Sequence, residues 1–76
     1  TFAQRVASCE SSDRLDVTNS LGYSGKWQLG HIEWAQYGGT GRQAAGHGEV
    51  QQDLIAYRLW KHRGWEPWDC ARSLRV

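Results

Sequence analysis

The decapeptide Phe2-Ala3-Gln4-Arg5-Val6-Ala7-Ser8-Cys9-Glu10-Ser11 decides how the rest of the chain is read. Phe2, Val6 and Cys9 recur at i, i+4 and i+7, one face of a 3.6-residue period, and Glu10, at i+8 from Phe2, continues that face. The spacing predicts an amphipathic helix from Phe2 to Ser11, with Thr1 available as its N-cap. On the apolar side of a helix a carboxylate is disfavoured, and its pKa rises toward the range where a glutamic acid donates a proton near neutrality. Phase alone leaves a second reading open, a helix-end glutamate half in water.

Working outward, 76 residues lie near the size at which a hydrophobic core alone is barely sufficient. One domain over 1–76 with some additional constraint is expected. Leucine, isoleucine, valine and phenylalanine are scarce, and five tryptophans and three tyrosines supply much of the buriable area. In such chains some rings form the core and others line a ligand groove. Cys9 and Cys70 stand near opposite ends, and a clasp between them is the natural reading. It would close a loop of about sixty residues, worth roughly 4 kcal/mol in the chain-entropy account, and would imply an oxidising, extracytoplasmic compartment. Two unrelated buried thiols are the other reading.

The formal net charge is +1, with the basic residues scattered apart from Arg58, Lys61, His62 and Arg63. Those four fall largely on one helical face and read as a solvated strip, so no nucleic-acid partner is expected. No run approaches transmembrane length, and membrane insertion is not expected. The first residues lack a signal-peptide pattern, so export would be directed by a segment outside this sequence. His31, His47 and His62 match no metal-ligand spacing, despite the His31-x-Glu33 pair, and neither metal nor cofactor is expected.

Further along, Ser12 to Gly25 is polar and turn-rich and reads as a long loop or irregular hairpin. Trp27-Gln28-Leu29 reads as a short extended piece, and a short helix is expected from His31 to Tyr37, ended by Gly38-Gly39. The longest helix should span Glu49 to Arg63 and stop at Gly64. Its faces, Val50 with Leu54 and Tyr57, Ala56 with Trp60, and Ile55 with Leu59, make a wide apolar arc that suits a central helix. Gln52 falls inside that arc, where it must be hydrogen-bonded or face a wet cleft.

With no phosphate-binding glycine loop and no serine-nucleophile element, what remains is a carboxyl group accompanied by aromatics and amides. Tryptophan and tyrosine stack on sugar rings, and glutamine side chains satisfy hydroxyl and acetamido groups. The ordered pieces Cys9-Glu10-Ser11, Gly22-Tyr23-Ser24-Gly25-Lys26-Trp27-Gln28-Leu29, Trp34 with Gly38-Gly39, Gln51-Gln52, and Trp68 before Cys70 resemble the resuscitation-promoting factor and related actinobacterial transglycosylase-like domains. The agreement runs from Phe2 to Cys70.

The resemblance implies an α+β, mainly α, lysozyme-like fold, with a reduced sheet or irregular hairpin, one Cys9–Cys70 disulfide and a cleft between two halves. It implies peptidoglycan glycan strands as partner, a secreted, cell-wall or phage virion-associated location, and a monomer as an isolated domain. It makes Glu10 the catalytic acid and puts Gln28 and Gln52, with Gln51 the fallback for the latter, in the cleft; Tyr23, Glu33 and Trp34 are further candidate substrate contacts. Two departures stand out. After Cys-Glu-Ser the family commonly has Gly-Gly-Asn-Trp, where this chain has Ser12-Asp13-Arg14-Leu15. Before Trp34 it usually has threonine, where this chain has Glu33. That carboxylate reads as a second catalytic group, a contact for an acetamido or amino group, or a surface residue.

Cleavage of a β-1,4 glycosidic bond needs a proton for the leaving oxygen and, in ordinary hydrolases, a second carboxylate. Asp13, Asp16 and Glu33 are carboxylates whose position the sequence leaves open. With Glu10 alone, the expected route is that of a lytic transglycosylase, in which an intramolecular hydroxyl replaces water. A non-catalytic peptidoglycan-binding module and a hydrolytic muramidase module of a phage tail or virion protein are the alternatives.

Overall fold

Thr1 starts the first helix, its hydroxyl accepting the Gln4 N–H at 3.1 Å while the Gln4 side chain accepts from the Thr1 backbone nitrogen at 2.7 Å. This reciprocal cap fixes α1 at Phe2–Ser11. The computed structural model describes residues 1–75, with three further helices, α2 (His31–Gln36), α3 (Glu49–Arg63) and α4 (Asp69–Leu74). Helices dominate; strand pairing among the described residues is confined to isolated antiparallel bridges, Thr18 with Ser24 and Ser24 with Leu29. Among the same residues, no helix is long and apolar enough to cross a membrane.

The three residues that close α1 each make a distant tie. Cys9 is disulfide-bonded to Cys70, with Cα atoms 6.0 Å apart. Glu10 accepts the Cys70 backbone N–H at 3.3 Å, and the Ser11 hydroxyl donates to the Lys26 carbonyl at 2.7 Å. α1 packs on α4 through this junction. The buried side of α1 is rotated from the expected phase: Val6 and Ala7 are sealed, Glu10 is half-buried and Cys9 is exposed. Glu10 is thus the more covered of the two neighbours.

Beyond α1 the chain turns through two consecutive left-handed residues, Ser12 at φ 56° and Asp13 at φ 61°. Both residues carry a Cβ and hold a conformation that glycine adopts freely; the resembling family commonly has Gly-Gly here. The hairpin is pinned at its tip by the Asn19 side chain, which accepts from the N–H groups of Leu21 and Tyr23. The expected extended piece at Trp27 to Leu29 is mostly a turn, with Gln28 at φ 50°, and only Leu29 pairs back to Ser24.

The core joins Val6, Ala7, Trp27, Leu29, Trp34, Ile55, Leu59 and Trp68. The three core indoles each place their N–H: Trp27 on Asp53, Trp34 on the Thr40 carbonyl and Trp68 on the Trp27 carbonyl. α3 has the expected bounds, ended at Gly64 with φ 64°. Its buried strip is narrower than the predicted arc: Gln52, Ile55, Ala56 and Leu59 are inside, whereas Val50, Leu54, Tyr57 and Trp60 are exposed. One covering layer in so small a chain shields only one side of the helix.

Gln52 is fully buried. Its carbonyl accepts the Lys26 N–H at 2.8 Å, and its amide donates to the carbonyls of Leu15 and His47 at 3.0 and 2.7 Å. One side chain thus fastens the hairpin, the following turn and the approach to α3 onto the same helix. Gln52→Leu keeps the bulk and leaves three half-buried backbone groups without their partner, so it should cost about 2–4 kcal/mol, read as a lowered thermal midpoint. A midpoint within experimental error of the parent would contradict this account.

Candidate active site

The half-buried carboxyl of Glu10 opens into a cleft of about 340 Å³. Asn19, Leu21, Tyr23 and Gln28 line it from the hairpin and turn, and Pro67, Trp68 and Asp69 from the segment entering α4. A second cleft of about 180 Å³ shares Tyr23, Gln28, Pro67 and Trp68 and continues to Gly30, Glu33 and Arg63. The four shared residues make the two clefts one groove, with Glu10 toward one end and Glu33 toward the other. The left-handed turn at Gln28 sets this residue in both halves of it, and its amide is steadied by donation to the Gly25 carbonyl at 3.1 Å.

Burial pushes the Glu10 pKa above its ordinary 4.5; the Cys70 N–H opposes the rise, and the Asp69 carboxylate adds to it. The tertiary fold supplies all three influences: α4 brings Cys70 and Asp69 to the end of α1. Asp69 itself is exposed and paired with Arg72 on the same helix. Asp13 and Asp16 are exposed and line neither cleft.

For a proton donor the sign is direct. A raised pKa extends the protonated fraction to higher pH, so cleavage dependent on Glu10 should persist above pH 4.5 and fall as pH rises through the shifted value. Asp69→Asn removes a neighbouring negative charge and should move that alkaline limb to lower pH. The pH profile of kcat/KM reads this, and a limb unmoved by Asp69→Asn would rule out the coupling.

Of the residues expected to contact a substrate, Tyr23, Gln28 and Glu33 line the groove with Glu10. Trp34 and Gln52 do not. Trp34 is fully buried beneath the backbone of Gly39, where any side chain would strike the indole, and it packs against His47 with ring centroids 5.1 Å apart. Gln52 is occupied by the three backbone bonds above. The aromatic and amide composition of a sugar site is thus partly consumed by the core. Asp69, Trp68, Asn19 and Arg63 were not among the expected site residues. Asp69 had a readable signal: it precedes Cys70, whose clasp to Cys9 brings the two cysteines' neighbours together.

The histidines have other placements. His62 Nδ1 lies 2.6 Å from the Tyr37 hydroxyl, and His47 Nδ1 lies 3.3 Å from the Ala44 carbonyl. The basic residues of α3 are exposed, with Arg58 donating to the Tyr37 carbonyl and Arg63 paired to Glu66 at 3.5 Å.

The transglycosylase-like domain family matches residues 2–71. Resuscitation-promoting factor Rpf1 of Corynebacterium glutamicum is 34% identical over 73 residues, a match that covers 92% of this chain and 38% of that protein. The chain therefore spans about two fifths of the length of this relative. Near-complete coverage by the family, from the first residue of α1 past Cys70, makes the chain a member of the transglycosylase-like domain family.

Proposed function

We propose that this chain is a peptidoglycan lytic transglycosylase of lysozyme-like fold that cleaves the β-1,4 bond between N-acetylmuramic acid and N-acetylglucosamine. Residues 1–76 act as one catalytic unit. The carrying observation is the carboxyl of Glu10, its pKa raised by burial, at one end of a groove lined by Tyr23, Gln28 and Trp68. The glycan strand lies along that groove with its scissile bond at Glu10.

In the first step protonated Glu10 gives its proton to the glycosidic oxygen. The bond from that oxygen to the anomeric carbon breaks, and charge develops on the sugar ring as in an oxocarbenium ion. The muramic C6 hydroxyl then attacks the anomeric carbon. Its proton passes to the Glu10 carboxylate, which restores the acid and leaves a 1,6-anhydro sugar. Holding the hydroxyl in place supplies several kcal/mol of the barrier through proximity. Asp69, the carboxylate beside Glu10, is exposed and paired with Arg72 and so is poorly suited to act as a second catalytic group, and Glu33 stands toward the other end of the groove.

The Cys9–Cys70 disulfide fits an oxidising location, outside the cytoplasm and against the cell wall. Chromatography and mass spectrometry of digested peptidoglycan test the reaction. Anhydromuropeptides are expected, and products with reducing ends alone would make the enzyme a hydrolase.

A further inference from the structure

Glu33 occupies the part of the groove that the reaction at Glu10 does not use. It stands in the first turn of α2, half-buried, and its Oε1 is folded back over Gly30. A methyl group at Gly30 would fall 2.5 Å from that oxygen and 3.3 Å from the Tyr23 ring, so the carboxylate sits beside the tyrosine in a space that only a glycine leaves open. Among the described residues Glu33 takes part in no ion pair and its side chain in no hydrogen bond within the protein. Arg63, the cation lining the same cleft, is instead engaged with Glu66.

A carboxylate accepts hydrogen bonds and offers none when ionised. Beside an aromatic face, in a groove lined by Pro67 and Trp68, the complementary group is a cationic donor carried on a ring that stacks on Tyr23. An N-acetylated sugar meets this oxygen with a neutral N–H and brings an acyl group into a cleft of about 180 Å³. A sugar with a free amino group brings an ammonium and no acyl bulk.

We infer that Glu33 is a specificity-determining residue that selects glycan strands carrying an N-deacetylated, 2-amino sugar at the end of the groove away from Glu10. The inference rests on the glycan-cleaving reading of the same groove. Preference follows from the charge-assisted bond made only by the ammonium, and in a half-open groove it should amount to about five- to tenfold.

The test uses one peptidoglycan preparation divided in two, one part fully N-acetylated with acetic anhydride and one chemically N-deacetylated. Release of soluble fragments is followed for the parent and Glu33→Gln. Binding of glucosamine and N-acetylglucosamine tetrasaccharides is measured in parallel by tryptophan fluorescence. The parent should favour the free-amine forms in both assays, and Glu33→Gln should bring both ratios close to one, with its circular dichroism unchanged. Equal handling by the parent, or a preference kept in Glu33→Gln, overturns the assignment. Should neither preparation be cleaved, the cleavage reading fails, and the tetrasaccharide ratio alone decides the role of Glu33.

Discussion

Glu10→Gln should lower release of soluble fragments from peptidoglycan by about two orders of magnitude or more. Glutamine has the same shape and its amide oxygen still accepts the Cys70 N–H, which Glu10 receives at 3.3 Å. It lacks only the proton to be transferred. The fold should therefore survive, and a linked stability effect should accompany the loss of activity. The pKa of Glu10 is raised in the folded chain, so its contribution to stability is fully present below the unfolded value and is lost as pH rises through the folded one. Above the raised value the ionised parent carries that loss and the glutamine variant does not. The variant should match the parent in acid and melt slightly higher at alkaline pH. Thermal unfolding at both pH values, alongside the fragment assay, checks the pair of outcomes. Cleavage retained by Glu10→Gln would place the acid elsewhere; lost cleavage with a collapsed fold would make Glu10 structural.

Removing the Cys9–Cys70 bond should have the largest effect on stability. Its sequence separation is 61, for which loop closure is worth about 4 kcal/mol in the chain-entropy account, against a total of roughly 5–15 kcal/mol for an ordinary domain. A chain this short sits at the low end of that range. With each kcal/mol worth about 4–8 °C in a domain of this size, a double Cys9→Ala, Cys70→Ala variant should lose about 15–30 °C in its thermal midpoint. Cys9 is exposed, so reductant should produce a similar loss in the parent without a denaturant. The damage should extend to chemistry. Releasing α4 withdraws the Cys70 N–H and Asp69 from Glu10 and loosens Pro67 and Trp68 in the groove. Activity of the double variant should therefore fall even at temperatures where circular dichroism shows it folded. A midpoint lowered by only a few degrees would show that packing, rather than the clasp, holds the ends together.

Much of the local architecture was legible because its causes are local. Thr1 and Gln4 cap α1 within one turn, and Gly64 ends α3 by taking a left-handed conformation. α4 carries no local signal: Asp69 to Leu74 is a helix of six residues with no capping side chain and Cys70 among its first residues. Trp27 to Leu29 has the composition of an extended piece, whereas Gln28 turns left-handed there, with ties of Gln28 and Leu29 to Gly25 and Ser24 that the local sequence does not advertise.

The sequence by itself determined the helix that carries Glu10, the near-complete family signature and the two cysteines whose pairing closes the chain. Tertiary structure decided which polar and aromatic residues face the groove. Gln52 and Gln28 are the same residue type in adjacent expectations, yet Gln52 is sealed in by bonds to residues 26 and 37 positions away, while Gln28 lines the cleft. Trp34 and Trp68 diverge similarly, one beneath Gly39 and the other along the groove. Periodicity gives the phase of a helix, but burial depends on which distant segment covers that phase. The same limit applied to Asp69 and Glu33, whose positions relative to Glu10 exist only once α4 is clasped to α1 and the hairpin is closed over Gln52.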